Sequence, residues 1–187
     1  VVENSLFLGL FSAFDAFTGQ LVSGIYKRKP QLYASLTRTI NVADILQFKS
    51  FEELQASVLR DEIEDFRRKS YVDQFKELES KFSIKLRAFE SWPRFVECSQ
   101  RRNLTTHCDG EVSEQYIEVC EREGYKFATQ PKVGDKLELG PKYFPPSCDL
   151  LSEVALKLGQ TLWRKLLPEE IEEADKKLNE AIYNRLQ

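Results

Sequence analysis

The sequence holds a single histidine, His107, five residues after Arg102 in the run Arg101-Arg102-Asn103-Leu104-Thr105-Thr106-His107-Cys108-Asp109-Gly110. Imidazole titrates near neutral pH and serves as acid or base. Guanidinium is a permanent cation whose forked donors match the oxygens of a phosphate. Together they suit cleavage of an RNA phosphodiester without a metal. That reaction needs a base for the 2′-OH, an acid for the leaving 5′-oxygen and a fixed cation for charge developing on the phosphorus oxygens. One chain supplies one histidine, so a two-fold dimer would be needed to supply two. On a straight helix, Asn103 and His107 share a face at i and i+4, whereas Arg102 and His107 point about 140° apart. They converge only if the helix ends near Thr106 or the long arginine wraps round. Gly110 favours the first option.

Other chemistry is poorly supported. Cys98, Cys108, Cys120 and Cys148 form no Cys-x-x-Cys pair, and with His107 they match no zinc spacing, so no metal is expected. Reduced thiols in a cytoplasmic protein are the plain reading. His107 and Cys108 are adjacent and point apart, which argues against a dyad. No glycine-rich phosphate loop is present, and no cofactor is expected. Two basic clusters, Lys27-Arg28-Lys29 and Arg67-Arg68-Lys69, could touch phosphate or simply be solvated surface. The net charge of -3 excludes an indiscriminate nucleic-acid coat, because nonspecific affinity comes from phosphate neutralisation.

The elements that must position these residues read as helices. Residues 5–27 repeat Leu6, Leu10, Phe14, Phe17, Leu21 and Ile25 at helical spacing, with Phe7, Phe11 and Val22 on other faces, which predicts a central helix. Asp15 is the only charge between Glu3 and Lys27, and a carboxylate on such a helix needs a partner. Pro30 ends the pattern, and a short helix can follow near Val42 to Leu46. Ser50 and Glu53 form a capping box for a helix over 51–68. A further helix covers Tyr71 to Phe82, with Phe75, Leu78 and Phe82 on one side. Pro93 opens the helix that carries Phe95, Val96 and Leu104 into the Arg102–His107 segment. Ser113 caps the next, which carries Tyr116, Ile117 and Cys120 and ends near Gly124. Residues 125–146 should be mostly loop, with a short strand-like alternation at 136–139. Ser147 caps a helix with Leu150, Val154, Leu158, Leu162 and Leu166, and Pro168 opens the last, with Ile171, Leu178 and Ile182 on one face. With 187 residues, 42% of them hydrophobic, this is an all-α bundle expected to form one domain over 1–187. No apolar run reaches membrane-spanning length and no leader is evident, so neither a membrane helix nor a signal peptide is expected. Methionine is absent, which leads us to expect a piece of a longer chain.

Arg102-Asn103 followed by His107, then Gly110-x-Val112 and Tyr116, after an apolar first helix with an embedded acid, resembles the HEPN superfamily of bacterial ribonucleases. The motif resemblance covers residues 101–116, and the helix pattern covers most of the chain. It implies a HEPN-like bundle acting as a homodimer, with Arg102, Asn103 and His107 in a composite site and RNA as substrate. It also implies that the first helix packs beside the motif helix, so that Asp15 orients Arg102 or Arg101. An ion pair in the core with no part in the chemistry is the other reading of Asp15. The setting implied is toxin–antitoxin or antiphage defence, with an inhibitory or sensing partner protein. Some HEPN toxins carry a modified tyrosine two residues after the histidine; here that residue is Asp109, which argues against that control. A non-catalytic HEPN-like module, dimerising or binding a partner or nucleotide through the same face, is the alternative.

Overall fold

The structure is a computed structural model that describes residues 2–140 and 142–186, with the side chains of the last helix described as far as Lys177. Its helices are α1 (Val2–Arg28), α2 (Val42–Ile45), α3 (Phe51–Arg68), α4 (Tyr71–Phe82), α5 (Trp92–His107), α6 (Glu114–Arg122), α7 (Phe144–Leu166) and α8 (Pro168–Leu186). A 3-10 turn over Pro30–Ser35 links α1 to α2. The all-α expectation holds, and no strand forms among the described residues. The alternation at 136–139 becomes a single antiparallel bridge, Glu111 to Lys136. It is flanked by the bonds Val112 N–H to Asp135 O (2.8 Å) and Leu137 N–H to Gly110 O (2.9 Å). Gly110 and Gly134 both take positive φ there and turn the chain away before a ladder can extend.

Local signals explain the helix ends. Ser50 accepts the Glu53 N–H, Ser70 the Asp73 N–H and Ser113 the Tyr116 N–H, each at 3.2 Å. These satisfy backbone donors that a first turn leaves open. The expected cap at Ser147 is corrected. α7 begins four residues earlier, with Tyr143 at the cap position and prolines in its first turn, where their missing N–H costs nothing. Ser147 instead donates its hydroxyl to Tyr143 O at 2.8 Å.

α1 is the central helix, packed against α7, α3 and α5. Its buried stripe is Phe7, Phe11, Phe14, Thr18, Val22 and Ile25, turned by about one residue from the Leu6–Leu21 face that spacing favoured. Leu6 is left 52% exposed. Burying the larger aromatic side removes more apolar area from water, roughly 25 cal/mol per Å². Gly19 sits on this face and lets the Arg67 stem and Ile63 approach, at 3.4 and 3.5 Å from where a Cβ would stand. By length and composition α1 could cross a membrane, which corrects the expectation that no segment reaches that measure. The Leu178 and Ile182 face of α8 lies outside the described side chains.

Two hydrophobic clusters form. The larger centres on Phe14, Tyr71, Phe75, Phe95 and Trp92, whose rings pack with centroids 4.9–5.7 Å apart. It locks α1, α4 and α5 together. The smaller holds Leu104, Val112, Tyr116 and Cys120 beneath the end of α5.

Candidate functional site

Arg102 projects from α5 into a cleft where α1, the α3–α4 junction and α5 meet. Asp15 of α1 and Asn103 share that cleft, which has a volume of about 270 Å³. Asp15 Oδ2 lies 3.9 Å from an Arg102 guanidinium nitrogen, and Arg102 donates to Asn103 Oδ1 at 3.1 Å. The Tyr71 hydroxyl donates to Asp15 Oδ1 at 2.6 Å. Burial pushes the Tyr71 hydroxyl far up, and its bond to Asp15 and that carboxylate's charge add to the shift against the pull of Arg102 and Arg67. Tyr71 therefore stays a proton donor throughout the working pH range and fixes one Asp15 oxygen. The other faces Arg102. The sequence marked Asp15 as needing a partner and left open which arginine it meets; the fold supplies Arg102 and Tyr71. Tyr71 went unnoticed as a site residue. Its signal was a core-type aromatic directly after a capping serine, with a hydroxyl that burial obliges to find an acceptor.

Arg101 turns the other way. Its Nε donates to Glu97 at 2.8 Å and its guanidinium lies 4.2 Å from the Tyr143 ring centroid. Glu97, only 2% exposed, also accepts the hydroxyls of Tyr116 and Tyr143, both at 2.8 Å. Burial opposes the Arg101 charge, but Glu97, with Tyr143 and Tyr116, outweighs it and raises the guanidinium's pKa. This carboxylate joins α5, α6 and the start of α7. Periodicity does not reveal it, since i, i+4 Glu–Arg pairs are common on exposed helix faces.

His107 is the last residue of α5 and is exposed. The helix stays regular through it, so an early end does not bring it round to Arg102. On helix geometry it stands about 7.5 Å further along the axis and about 140° away. It does not line the Arg102 cleft and makes no side-chain hydrogen bond among the described residues. Beyond it the chain reverses sharply. Asp109 and Gly110 take φ values of 47° and 81°, and Gly110 N–H donates to Leu104 O at 3.0 Å. A Cβ on Gly110 would lie 2.9 Å from Leu137 O, so glycine is required here by both φ and space. Asp109 pairs with Lys136 at 2.6 Å and holds the loop against this turn.

The cysteines are free thiols. Burial pushes Cys98 up to about 11 and Cys120 up to about 12, so neither is an activated nucleophile. No group of three or more His, Cys, Asp or Glu side chains arranged to hold a metal occurs among the described residues. Comparison of the chain with protein-family models, with curated proteins and with solved structures returns no match.

Proposed function

We propose that this chain is a metal-independent endoribonuclease of the HEPN type that acts as a homodimer. One histidine of the pair takes the proton of the attacking 2′-OH. The other protonates the departing 5′-oxygen, leaving a 2′,3′-cyclic phosphate and a 5′-hydroxyl. Arg102 stabilises the charge on the phosphorus oxygens, and Asn103 and Asp15 hold it in position. The observation that carries this reading is Arg102 held from two elements at the edge of a cleft, with an exposed histidine ending the same helix. By its resemblance the protein belongs in the cytoplasm, in toxin–antitoxin or antiphage defence, restrained by an inhibitory or sensing partner. The separation of His107 from the Arg102 cleft favours a second reading, a non-catalytic dimerisation or partner-binding module.

Total cellular RNA incubated with protein in EDTA separates the two. The enzyme cleaves it, and His107→Ala and Arg102→Ala each cost on the order of 100- to 10,000-fold in rate while fold and dimer persist. Cys108, exposed beside His107, reports the dimer, because a short bismaleimide should link the two copies. Equally negligible cleavage in the wild type and both variants would remove the ribonuclease reading.

A further inference from the structure

Two basic clusters stand out in the sequence, and the fold treats them differently. Arg28 pairs with Glu170, and Lys29 pairs with Glu169 at 3.2 Å, so the first cluster secures the start of α8 to the end of α1. The second lies at the α3–α4 junction, where Arg67, Arg68 and Lys69 line the same cleft as Arg102. Arg67 has no carboxylate partner among the described residues. Arg68 reaches Glu64 only at 3.9 Å, and Lys69 pairs with Glu77 at 2.6 Å, outside the cleft lining. Three arginines, Arg67, Arg68 and Arg102, thus line about 270 Å³ against one lining carboxylate, Asp15, in a chain whose net charge is -3.

We propose that this cleft is a phosphate-binding subsite that grips the backbone of a single RNA strand beside the bond to be cleaved, without reading its bases. That the occupant is an RNA strand rests on the ribonuclease reading; the anion site itself does not. Arginine supplies paired donors to phosphate oxygens, and a local cluster concentrates counter-charge where an acidic chain otherwise repels nucleic acid. The lining offers no exposed aromatic ring on which a base can stack. Its one aromatic residue, Tyr71, is 8% exposed, with its ring packed between Phe14 and Phe95 at 5.7 and 5.5 Å. Base-reading single-strand sites depend on exposed stacking platforms. Arg102 belongs to both the cleft and the motif, so a strand held by Arg67 and Arg68 reaches the Arg102 guanidinium directly.

The test is fluorescence anisotropy with a labelled 2′-O-methyl RNA oligonucleotide, whose blocked 2′-oxygen prevents self-attack. Binding should weaken with salt, and Arg67→Gln with Arg68→Gln should flatten the plot of log affinity against log salt by about 0.7 per charge removed. Uridine-rich and adenosine-rich probes should lose equally. Arg67→Lys should retain the slope, which separates loss of charge from loss of packing against Gly19. Lys27→Gln with Arg28→Gln removes the same charge elsewhere and should leave the slope unchanged. An unaltered slope in the Arg67 and Arg68 variants, or an equal loss in the Lys27 and Arg28 control, overturns the subsite. Displacement of the probe by AMP at matching phosphate concentration makes it a mononucleotide site and overturns the strand assignment. Wild type that binds through this cleft and never cleaves RNA keeps the subsite and removes the ribonuclease reading. Cleavage by wild type with binding unaffected by the Arg67 and Arg68 changes does the reverse.

Discussion

At the scale of single residues, the decisive contact is Asp15 between the Tyr71 hydroxyl and Arg102. Asp15 touches no reacting atom in the proposed chemistry and is a positioning residue. Asp15→Asn should lower kcat for RNA cleavage with KM little changed, since one oxygen remains to accept from Tyr71 while the charge facing Arg102 is gone. Tyr71→Phe keeps the ring in the aromatic cluster and removes one hydrogen bond, costing about 1 kcal/mol of stability and a smaller part of kcat. Steady-state kinetics beside urea titrations check both. Unchanged kcat with lowered stability would make Asp15 an element of the core alone.

Among the helices, α5 carries Arg102, Asn103 and His107, and it divides its charges between two faces. Arg102 goes to the cleft. Arg101 goes to Glu97 and, through it, to Tyr116 and Tyr143. Removing one partner of a buried pair leaves the other uncompensated. Glu97→Ala should therefore cost about 3–5 kcal/mol in urea unfolding, whereas Tyr143→Phe should cost about 0.5–1.5 kcal/mol. A Glu97→Ala loss below about 1 kcal/mol would show that the network does not hold α5 to its neighbours. The hydrophobic pattern of α5 was plain in the sequence, with Phe95, Val96 and Leu104 all buried. The direction of each arginine was not, because Arg101 and Arg102 are adjacent and only the neighbouring helices distinguish them.

At the level of the whole molecule, a partly buried carboxylate ties α4 to the segment leading to α5 and makes that junction sensitive to acid. Glu79 accepts the N–H groups of Leu86 and Arg87 at 2.7 and 2.8 Å and the Arg87 Nε at 2.7 Å. Burial opposes the Glu79 charge, but Arg87, through its N–H and guanidinium, together with the Leu86 N–H, outweighs it and holds the carboxyl below its ordinary value of 4.5. A carboxyl depressed in the folded state contributes stability that is complete above the unfolded pKa and is lost as pH falls through the folded one. Wild type should therefore melt above Glu79→Gln at neutral pH, and the gap should close as pH drops below about 4.5. A gap independent of pH would mean that the charge contributes nothing there.

Several features were legible in the sequence alone: eight helices with most of their boundaries, Arg102, Asn103 and His107 as candidate residues on one helix, and the need of Asp15 for a partner. These follow from short-range physics, in which serine caps, proline placement and apolar spacing act within a few residues of each other. Tertiary structure decided which stripe of α1 is buried, that Asp15 meets Arg102 through α1–α5 packing, and that Arg101 is drawn into a buried carboxylate. It also decided that the Arg67 cluster, 33 to 35 residues earlier in sequence, shares the cleft with Arg102, while the similar cluster at Lys27 is held by α8. Each depends on contacts between elements far apart in the chain, and local spacing carries no record of which distant helix will lie alongside.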